Sequence, residues 1–187
     1  MNICILGVGY VGLVTGSCLS KHHSVICYDI DKRKIEALNN LEIPIYEENL
    51  LDIVVSSYAS KSISFTSSLE EAIADSEIIF LCVGTPQSED GSANLENIYK
   101  ATIDIASVLD NDVLIICKST VPVGTCEKID NILKKELESR NKDIEFRVIS
   151  NPEFLREGSA VYDFLNPDRV IIGLEKDPAA QEVMTKL

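Results

Sequence analysis

The sequence lacks the features of several large classes of protein. No stretch approaches the roughly 18 apolar residues that a membrane-spanning helix needs, and Met1-Asn2-Ile3 does not have the basic start of a signal peptide. Solenoid repeats and low-complexity segments are also missing. We therefore expect a globular protein of the cytoplasm that has no membrane partner.

Positive charge is scarce. Lys and Arg number 17 against 30 Asp and Glu, which gives a formal net charge of -13 at pH 7. Long-range repulsion then opposes binding to nucleic acid and to anionic membrane surfaces, so we expect neither as a partner. A local phosphate site remains compatible with this charge, because backbone N–H groups can hold a phosphate whatever the net charge.

Sequence patterns for metal sites and for disulfides are absent. The two histidines form no cluster with the six cysteines, and no two cysteines are spaced as CxxC. Four of the cysteines lie in apolar, strand-like runs, where a free thiol behaves as a small buried hydrophobic group. We predict reduced cysteines and no metal site.

A glycine-rich turn lies between an apolar run and a helical pattern. It reads Gly-Val-Gly-Tyr-Val-Gly from Gly7, and Asp29 closes a second apolar run about 20 positions later. In this arrangement Gly7 makes a tight turn, Gly9 lets the backbone approach a phosphate, and Gly12 allows close helix–sheet packing. The helix start then faces a pyrophosphate and the acid takes the ribose hydroxyls, so the motif predicts a dinucleotide site.

The acidic residue indicates which dinucleotide is bound. We favour Asp29 over Asp31 for the ribose, because Asp29 ends a strand and Asp31 is placed to cap the next helix. A carboxylate beside the ribose selects against a 2′-phosphate, which favours NAD over NADP. The cations Lys32, Arg33 and Lys34 leave NADP open, and Lys34 could alternatively reach the pyrophosphate.

Apolar runs and helical patterns alternate along the chain. Strands are predicted at 2–6, 24–28, 63–66, 78–83, 113–117 and 147–149. Helices are predicted at 10–21, 31–39, 47–59, 68–74, 95–109 and 124–139. Continuous apolar strands are typical of a parallel sheet covered on both faces. The predicted fold is therefore α/β, a doubly wound Rossmann-type parallel sheet with helices on both faces.

The chain end suggests a larger protein. Asp177 and Pro178 predict the N-cap and first residue of a last helix, which meets no terminator by residue 187. We expect residues 1–187 to form one dinucleotide-binding domain, truncated before a second domain.

Polar residues follow three more strands. Thr85 and Pro86 come after the fourth strand, and Thr120 after the fifth. Ligands bind outside the carboxyl ends of parallel strands, so both hydroxyls could lie over the cofactor cleft. Alternatively, they satisfy local backbone groups.

The block at 150–158 follows the sixth strand and carries two acids. The i,i+4 spacing of Glu153 and Glu157 predicts one face of a short helix. These acids could orient a hydroxylated substrate or act as general base, while Arg156 could simply pair with a carboxylate. A second block, at 166–173, is predicted to enter another strand and to hold Asp168 and Arg169 as a structural pair.

Five ordered motifs resemble one family. They are GVGYVG at 7–12, VGTP at 83–86, KSTVPVGT at 118–125, NPEFLREG at 151–158 and NPDRVIIG at 166–173. Together they resemble the N-terminal domain of the nucleotide-sugar 6-dehydrogenases, the UDP-glucose/GDP-mannose dehydrogenase family. The last block favours the branch that oxidises UDP-glucose, with GDP-mannose and UDP-N-acetylhexosamines as alternative substrates.

The resemblance implies a double oxidation. A sugar 6-hydroxymethyl becomes a carboxylate, two NAD molecules each accept a hydride, and a cysteine carries the thiohemiacetal and thioester intermediates. The GxGCxxKD motif of that cysteine does not occur here. We therefore expect this chain alone to bind NAD without turnover, and to be a monomer or weak dimer although the parent enzyme is a homodimer.

The resemblance also assigns residues. The implied cofactor contacts are Gly7, Gly9, Tyr10, Val11, Gly12, Asp29, Lys34, Thr85, Pro86, Thr120 and Glu157. The implied substrate contacts are Glu153, Phe154, Leu155, Arg156 and Glu157. The implied catalytic residues are Thr120, which helps to hold the hydrolytic water, Glu153, which assists thioester hydrolysis, and Glu157, which lies near the nicotinamide.

Two other interpretations remain open. The chain could be a stand-alone NAD-binding module that senses rather than reacts, although a sensor has no need of the two acids at 153 and 157. It could also begin a dehydrogenase for a hydroxyacid or an acyl-CoA, which would leave the blocks at 151–158 and 166–173 unexplained.

Overall fold

The computed structural model describes residues 1–174 and 177–187, and it places six strands side by side in one sheet. The strands are β1 (Asn2–Leu6), β2 (Ser24–Tyr28), β3 (Ile63–Thr66), β4 (Ile78–Leu81), β5 (Val113–Cys117) and β6 (Phe146–Ser150). Their order is β3-β2-β1-β4-β5-β6, and every neighbouring pair is parallel. The strand order reverses between β1 and β4, where open α/β sheets form a ligand crevice.

Helices cover both faces of this sheet. In the described ranges they are α1 (Tyr10–Leu19), α2 (Lys32–Asn39), α3 (Leu50–Ala59), α4 (Leu69–Ile73), α5 (Glu96–Val108), α6 (Thr125–Ser139), α7 (Ala160–Leu165) and α8 (Pro178–Lys186). Ile3 and Ile5 of β1 pack into one core, and Cys4 and Leu6 pack into the other. The predicted doubly wound, Rossmann-type α/β fold is therefore confirmed. None of the helices in these ranges is long and apolar enough to cross a bilayer.

Side-chain caps fix several helix starts. Asp31 accepts a hydrogen bond from the N–H of Arg33 at 3.0 Å, as expected for the residue before α2. Asp177 accepts from the N–H groups of Ala179 and Ala180, both at 3.0 Å, and Pro178 follows as the first residue of α8. Both caps agree with the sequence prediction.

The cysteines serve as hydrophobic residues of the two cores. Five are buried, Cys126 is partly exposed, and all six are free thiols. Burial raises the pKa of Cys18 and of Cys82 to about 12, which keeps these two thiols protonated at neutral pH. A protonated thiol is a poor nucleophile, so the structural role predicted for these residues agrees with their environment.

The helix predicted across Glu153 and Glu157 is wrong. Residues 151–156 have no regular secondary structure, and residues 157–159 form a turn that leads into α7. Pro152 lacks an N–H, and the carboxylate of Glu153 accepts the N–H of Leu155 at 2.6 Å. Such a local side-chain bond competes with helical hydrogen bonds, so the two acids do not share a helix face.

Two smaller predictions also differ from the structure. The strand expected in the block at 166–173 is reduced to one antiparallel bridge, in which Ser150 and Gly173 exchange hydrogen bonds of 2.9 and 2.7 Å. The helix expected from residue 47 begins at Leu50, because Asn49 adopts a left-handed conformation with φ of 66°. Glu47 therefore lies in the segment before α3.

The first testable prediction concerns Gly12. A Cβ atom there would lie 1.9 Å from the carbonyl oxygen of Gly7 and 3.2 Å from Cβ of Cys82. We expect Gly12→Ala to lower the free energy of unfolding by roughly 3 kcal/mol or more, because backbone must move to admit the methyl group. Urea unfolding measures the change.

Gly84→Ala is the matched control, because a Cβ atom at Gly84 meets nothing within 4 Å. We expect this variant to stay within about 0.5 kcal/mol of the parent chain. Equal midpoints for the two variants would show that α1 and β1 are not held together by this close approach.

Candidate functional site

The glycine turn lies where the strand order reverses. Gly7 has φ of 97°, a left-handed conformation that favours glycine, and its N–H donates to the carbonyl of Tyr28 at 2.9 Å. Gly9 is exposed, and a Cβ atom there would meet nothing within 4 Å. Next to this open space, the first N–H groups of α1 have no partner within the helix. The turn can therefore accept a phosphate close to the backbone.

Asp29 both supports this turn and faces a cavity. Its Oδ2 accepts the N–H of Val8 at 2.8 Å and pairs with Nζ of Lys34 at 2.7 Å, and its Oδ1 accepts the N–H of Asp31 at 3.0 Å. The residue is 8% exposed. The structure thus brings Asp29 to the cavity, places Asp31 at the cap of α2, and holds Lys34 against a carboxylate.

The cavity beside the turn has a volume of about 280 Å³. It is bounded by the glycine turn, the carboxyl ends of β2 and β4, and one side of α5. Its walls combine apolar groups with a few polar ones, and they include Tyr28, Asp29, Leu69, Val83, Asn97 and Ala101. A mostly apolar slot with a few polar groups suits a flat heterocycle and its ribose. The residues present therefore fit one half of a dinucleotide.

The threonines after β4 and β5 lie side by side at this edge of the sheet. Oγ1 of Thr85 donates to the carbonyl of Thr120 at 3.1 Å, and Oγ of Ser119 donates to the carbonyl of Val83 at 2.7 Å. Thr85 thus satisfies local backbone, as the alternative interpretation allowed. The hydroxyl of Thr120, an exposed residue, makes no hydrogen bond to the described part of the chain, which leaves it available to a ligand.

A second cavity, of about 690 Å³, opens beside the loop at 151–158. Glu153, Phe154, Leu155 and Arg156 line it, together with residues of the 162–170 segment. Glu157 is exposed and stands outside the residues that line this cavity. The structure therefore brings four of the five predicted substrate residues to one cavity.

Arg156 pairs with the carboxylate of Asp163, a partner that the sequence did not indicate. Its Nη2 and Nε lie 2.6 and 3.1 Å from the two carboxylate oxygens of Asp163. This hydrogen bonding lowers the pKa of Asp163 to about 2. Arg169 does not form the expected pair with Asp168. Its guanidinium instead lies 5.0 Å from the ring centroid of Phe154.

Lys118, the first residue of the motif at 118–125, lines the larger cavity, although the sequence predicted no role for it. It is buried, its Nζ donates to Oδ1 of Asn151 at 3.2 Å, and it lies 5.7 Å from the ring centroid of Phe164. Burial lowers the pKa of this lysine. A lysine that follows an otherwise apolar strand was the signal available in the sequence, since burying an ammonium is costly unless it has partners.

Glu47 is a second residue that the sequence analysis missed. Its buried carboxylate accepts hydrogen bonds from the hydroxyl of Tyr10 and from the N–H groups of Gly158 and Ala160. The first partner belongs to the glycine turn. Gly158 ends the loop at 151–158, called the acidic loop below, and Ala160 begins α7. No local pattern could show this, because the partners lie 37, 111 and 113 positions away.

Known proteins are similar to this chain over its whole length. The family described as "UDP-glucose/GDP-mannose dehydrogenase family, NAD binding domain" matches residues 1–187. A UDP-glucose 6-dehydrogenase of Rhizobium meliloti is 44% identical over 190 residues, which cover 100% of this chain and 43% of that protein. The chain therefore spans less than half the length of this relative.

Solved structures agree. A UDP-glucose dehydrogenase from Pyrobaculum islandicum superposes with a TM-score of 0.88 at 36% identity, covering 98% of this chain and 42% of the other. A GDP-mannose dehydrogenase from Pseudomonas aeruginosa superposes with a TM-score of 0.90 at 31% identity, covering 100% and 43%. Sequence, fold and the geometry of the glycine turn lead to one conclusion: the chain belongs to the UDP-glucose/GDP-mannose dehydrogenase family and is its NAD-binding domain.

Proposed function

We propose that the chain is the NAD-binding portion of a UDP-glucose 6-dehydrogenase. The observation that carries the proposal is that the glycine turn and the loop at 151–158, which line the two cavities, both follow strand ends at the same edge of one sheet. The relative from Rhizobium meliloti, named as a UDP-glucose 6-dehydrogenase, supports this substrate. The solved GDP-mannose dehydrogenase supports the alternative that another nucleotide sugar is oxidised.

We assign residues at this edge of the sheet to the pyrophosphate and the ribose of the cofactor. Backbone at Gly9 and Val11 would hold the pyrophosphate, and Asp29 would accept the ribose hydroxyls while Lys34 balances its charge. The remaining contacts would come from Gly7, Tyr10, Gly12, Thr85, Pro86, Thr120 and Glu157. When bound there, NAD would supply the redox chemistry of the proposed reaction as the acceptor of a hydride from the sugar carbon.

The acidic loop would orient the sugar and a water molecule. One oxygen of Glu153 accepts the N–H of Leu155, so the other is free to accept a proton or a hydrogen bond from a hydroxyl or from water. The unpaired hydroxyl of Thr120 could hold the same water. Phe154, Leu155 and Arg156 would line the sugar, whereas Glu157 lies outside the residues that line either cavity.

The cysteine nucleophile of the proposed double oxidation would come from elsewhere in the parent protein. Cys126 is the exception among the six thiols, because a hydrogen bond from Cys117 lowers its pKa below the ordinary value. It packs, however, against the core that contains Cys117, whereas Leu19 and Phe80, which line the larger cavity, belong to the core on the other face. In the whole protein, we expect two NADH for each UDP-glucose consumed.

The second testable prediction separates folding from cofactor binding at Gly9. Its φ of -81° suits any residue, and an added Cβ meets nothing within 4 Å. Gly9→Ala should therefore unfold at the parent temperature, yet bind NAD at least about tenfold more weakly, because the methyl group fills the space that a phosphate needs. Calorimetric titration measures the affinity; an unchanged value would mean that the turn is purely structural.

The third testable prediction concerns the choice of dinucleotide. Asp29→Asn keeps an acceptor for the turn but removes the charge that repels a 2′-phosphate. We expect the preference for NAD over NADP to fall about tenfold, or about 1.4 kcal/mol, in paired calorimetric titrations.

Asp31→Asn is the matched control. It makes the same change two positions away at the cap of α2, where Asn serves as well as Asp, and it should leave the preference intact. If Asp29→Asn also leaves the preference intact, Asp29 only supports the turn.

A further inference from the structure

One buried carboxylate joins the two loops of the proposed site. Glu47 is 5% exposed and lies between α2 and α3. Its Oε1 accepts from the hydroxyl of Tyr10 and from the N–H of Gly158, and its Oε2 accepts from the N–H of Ala160 at 2.8 Å. Three donors from two distant segments therefore meet on one side chain.

The hydrogen bonds around Glu47 determine the protonation states of Glu47 and Tyr10. Burial alone would raise the pKa of Glu47, but the bonds from Tyr10, Gly158 and Ala160 hold it below its ordinary value. Burial and the bond to Glu47 raise the pKa of Tyr10. At neutral pH the link is thus a carboxylate with a neutral phenol as its donor. A charge-assisted bond of this kind is stronger than one between neutral groups.

Tyr10 also approaches the 151–158 loop directly. Its hydroxyl oxygen lies 3.3 Å from the carbonyl oxygen of Arg156, an acceptor that competes with Glu47 for its one proton. Tyr10 is the first residue of α1, directly after Gly9, while Arg156 and Gly158 flank Glu157. The backbone on both sides of Glu157 is therefore held next to Tyr10, at the start of α1.

We propose that Glu47 is a positioning residue that couples occupation of the glycine turn to the order of the 156–160 backbone. The inference rests on the proposed function, since it requires a dinucleotide at the turn. A ligand that restrains Tyr10 restrains the donor to Glu47 and the contact to Arg156, and so favours one arrangement of the loop that carries Glu157. By linkage, ordering the loop strengthens dinucleotide binding by the same factor.

Hydrogen exchange at the N–H groups of Gly158 and Ala160 tests the proposal, with and without saturating NAD. In the parent chain, we expect NAD to slow their exchange at least threefold. Glu47→Gln should speed exchange in the free chain and abolish the effect of NAD. Glu48→Gln, the same change at the exposed neighbour, should behave as the parent chain.

Tyr10→Phe separates coupling from simple capping. This variant keeps Glu47 on Gly158 and Ala160, so protection in the free chain should remain, while the slowing by NAD should be lost. If Glu47→Gln fails to fold, Tyr10→Phe still tests whether NAD binding is coupled to the order of the loop. Slowing by NAD that persists in Tyr10→Phe or Glu47→Gln would overturn the inference and leave Glu47 as a structural cap.

Calorimetry on the same samples keeps the two failures apart. NAD binding without slowing in the parent chain overturns the coupling and leaves the proposed function standing. Absence of NAD binding to the parent chain overturns the proposed function, and the coupling with it.

Discussion

The close approach of α1 to the end of β1 sets the rest of the site. With the carbonyl oxygen of Gly7 1.9 Å from where a Cβ of residue 12 would lie, only glycine lets the helix begin at this point. One turn later, Gly16 brings α1 close to β2, where a Cβ would lie 2.8 Å from Sγ of Cys27. The unpaired N–H groups of α1 consequently lie over the crevice between β1 and β4, where a phosphate can reach them.

Asp29 meets two demands at this crevice. Its carboxylate lines the cavity, and it also accepts the N–H of Val8 inside the turn. A substitution there changes the cofactor pocket and the shape of the turn together, so an amide that retains one acceptor separates the two effects better than a complete deletion of the side chain does. Lys34 adds a third constraint, because its ammonium offsets the cost of keeping this carboxylate mostly buried.

Elements built from local signals could be predicted from the sequence, and those built from distant contacts could not. Apolar runs located the six strands, and the caps at Asp31 and Asp177 located two helix starts, because both signals lie within a few residues. The spacing of Glu153 and Glu157 gave a wrong helix prediction. Pro152 and a side-chain hydrogen bond within the loop disfavour a helix there in spite of the helical spacing. Lys118 and Glu47 gain their roles from partners 33 to 113 residues away, which no window of the sequence contains.

The segment before α3 indicates that Glu47 positions neighbouring groups rather than adding to the stability of the fold. Ile43 and Ile45 pack against the core, Tyr46 is 88% exposed, and the next side chain is a buried carboxylate. Burying a charge gains little stability, since desolvation cancels most of what three donors return. An apolar residue at position 47 could fill the same space, but it could not hold the N–H groups of Gly158 and Ala160 and the phenol of Tyr10 at fixed distances. The physical advantage of a carboxylate here is the relative position of the two loops, which is the quantity that the proposed hydride transfer between their ligands requires.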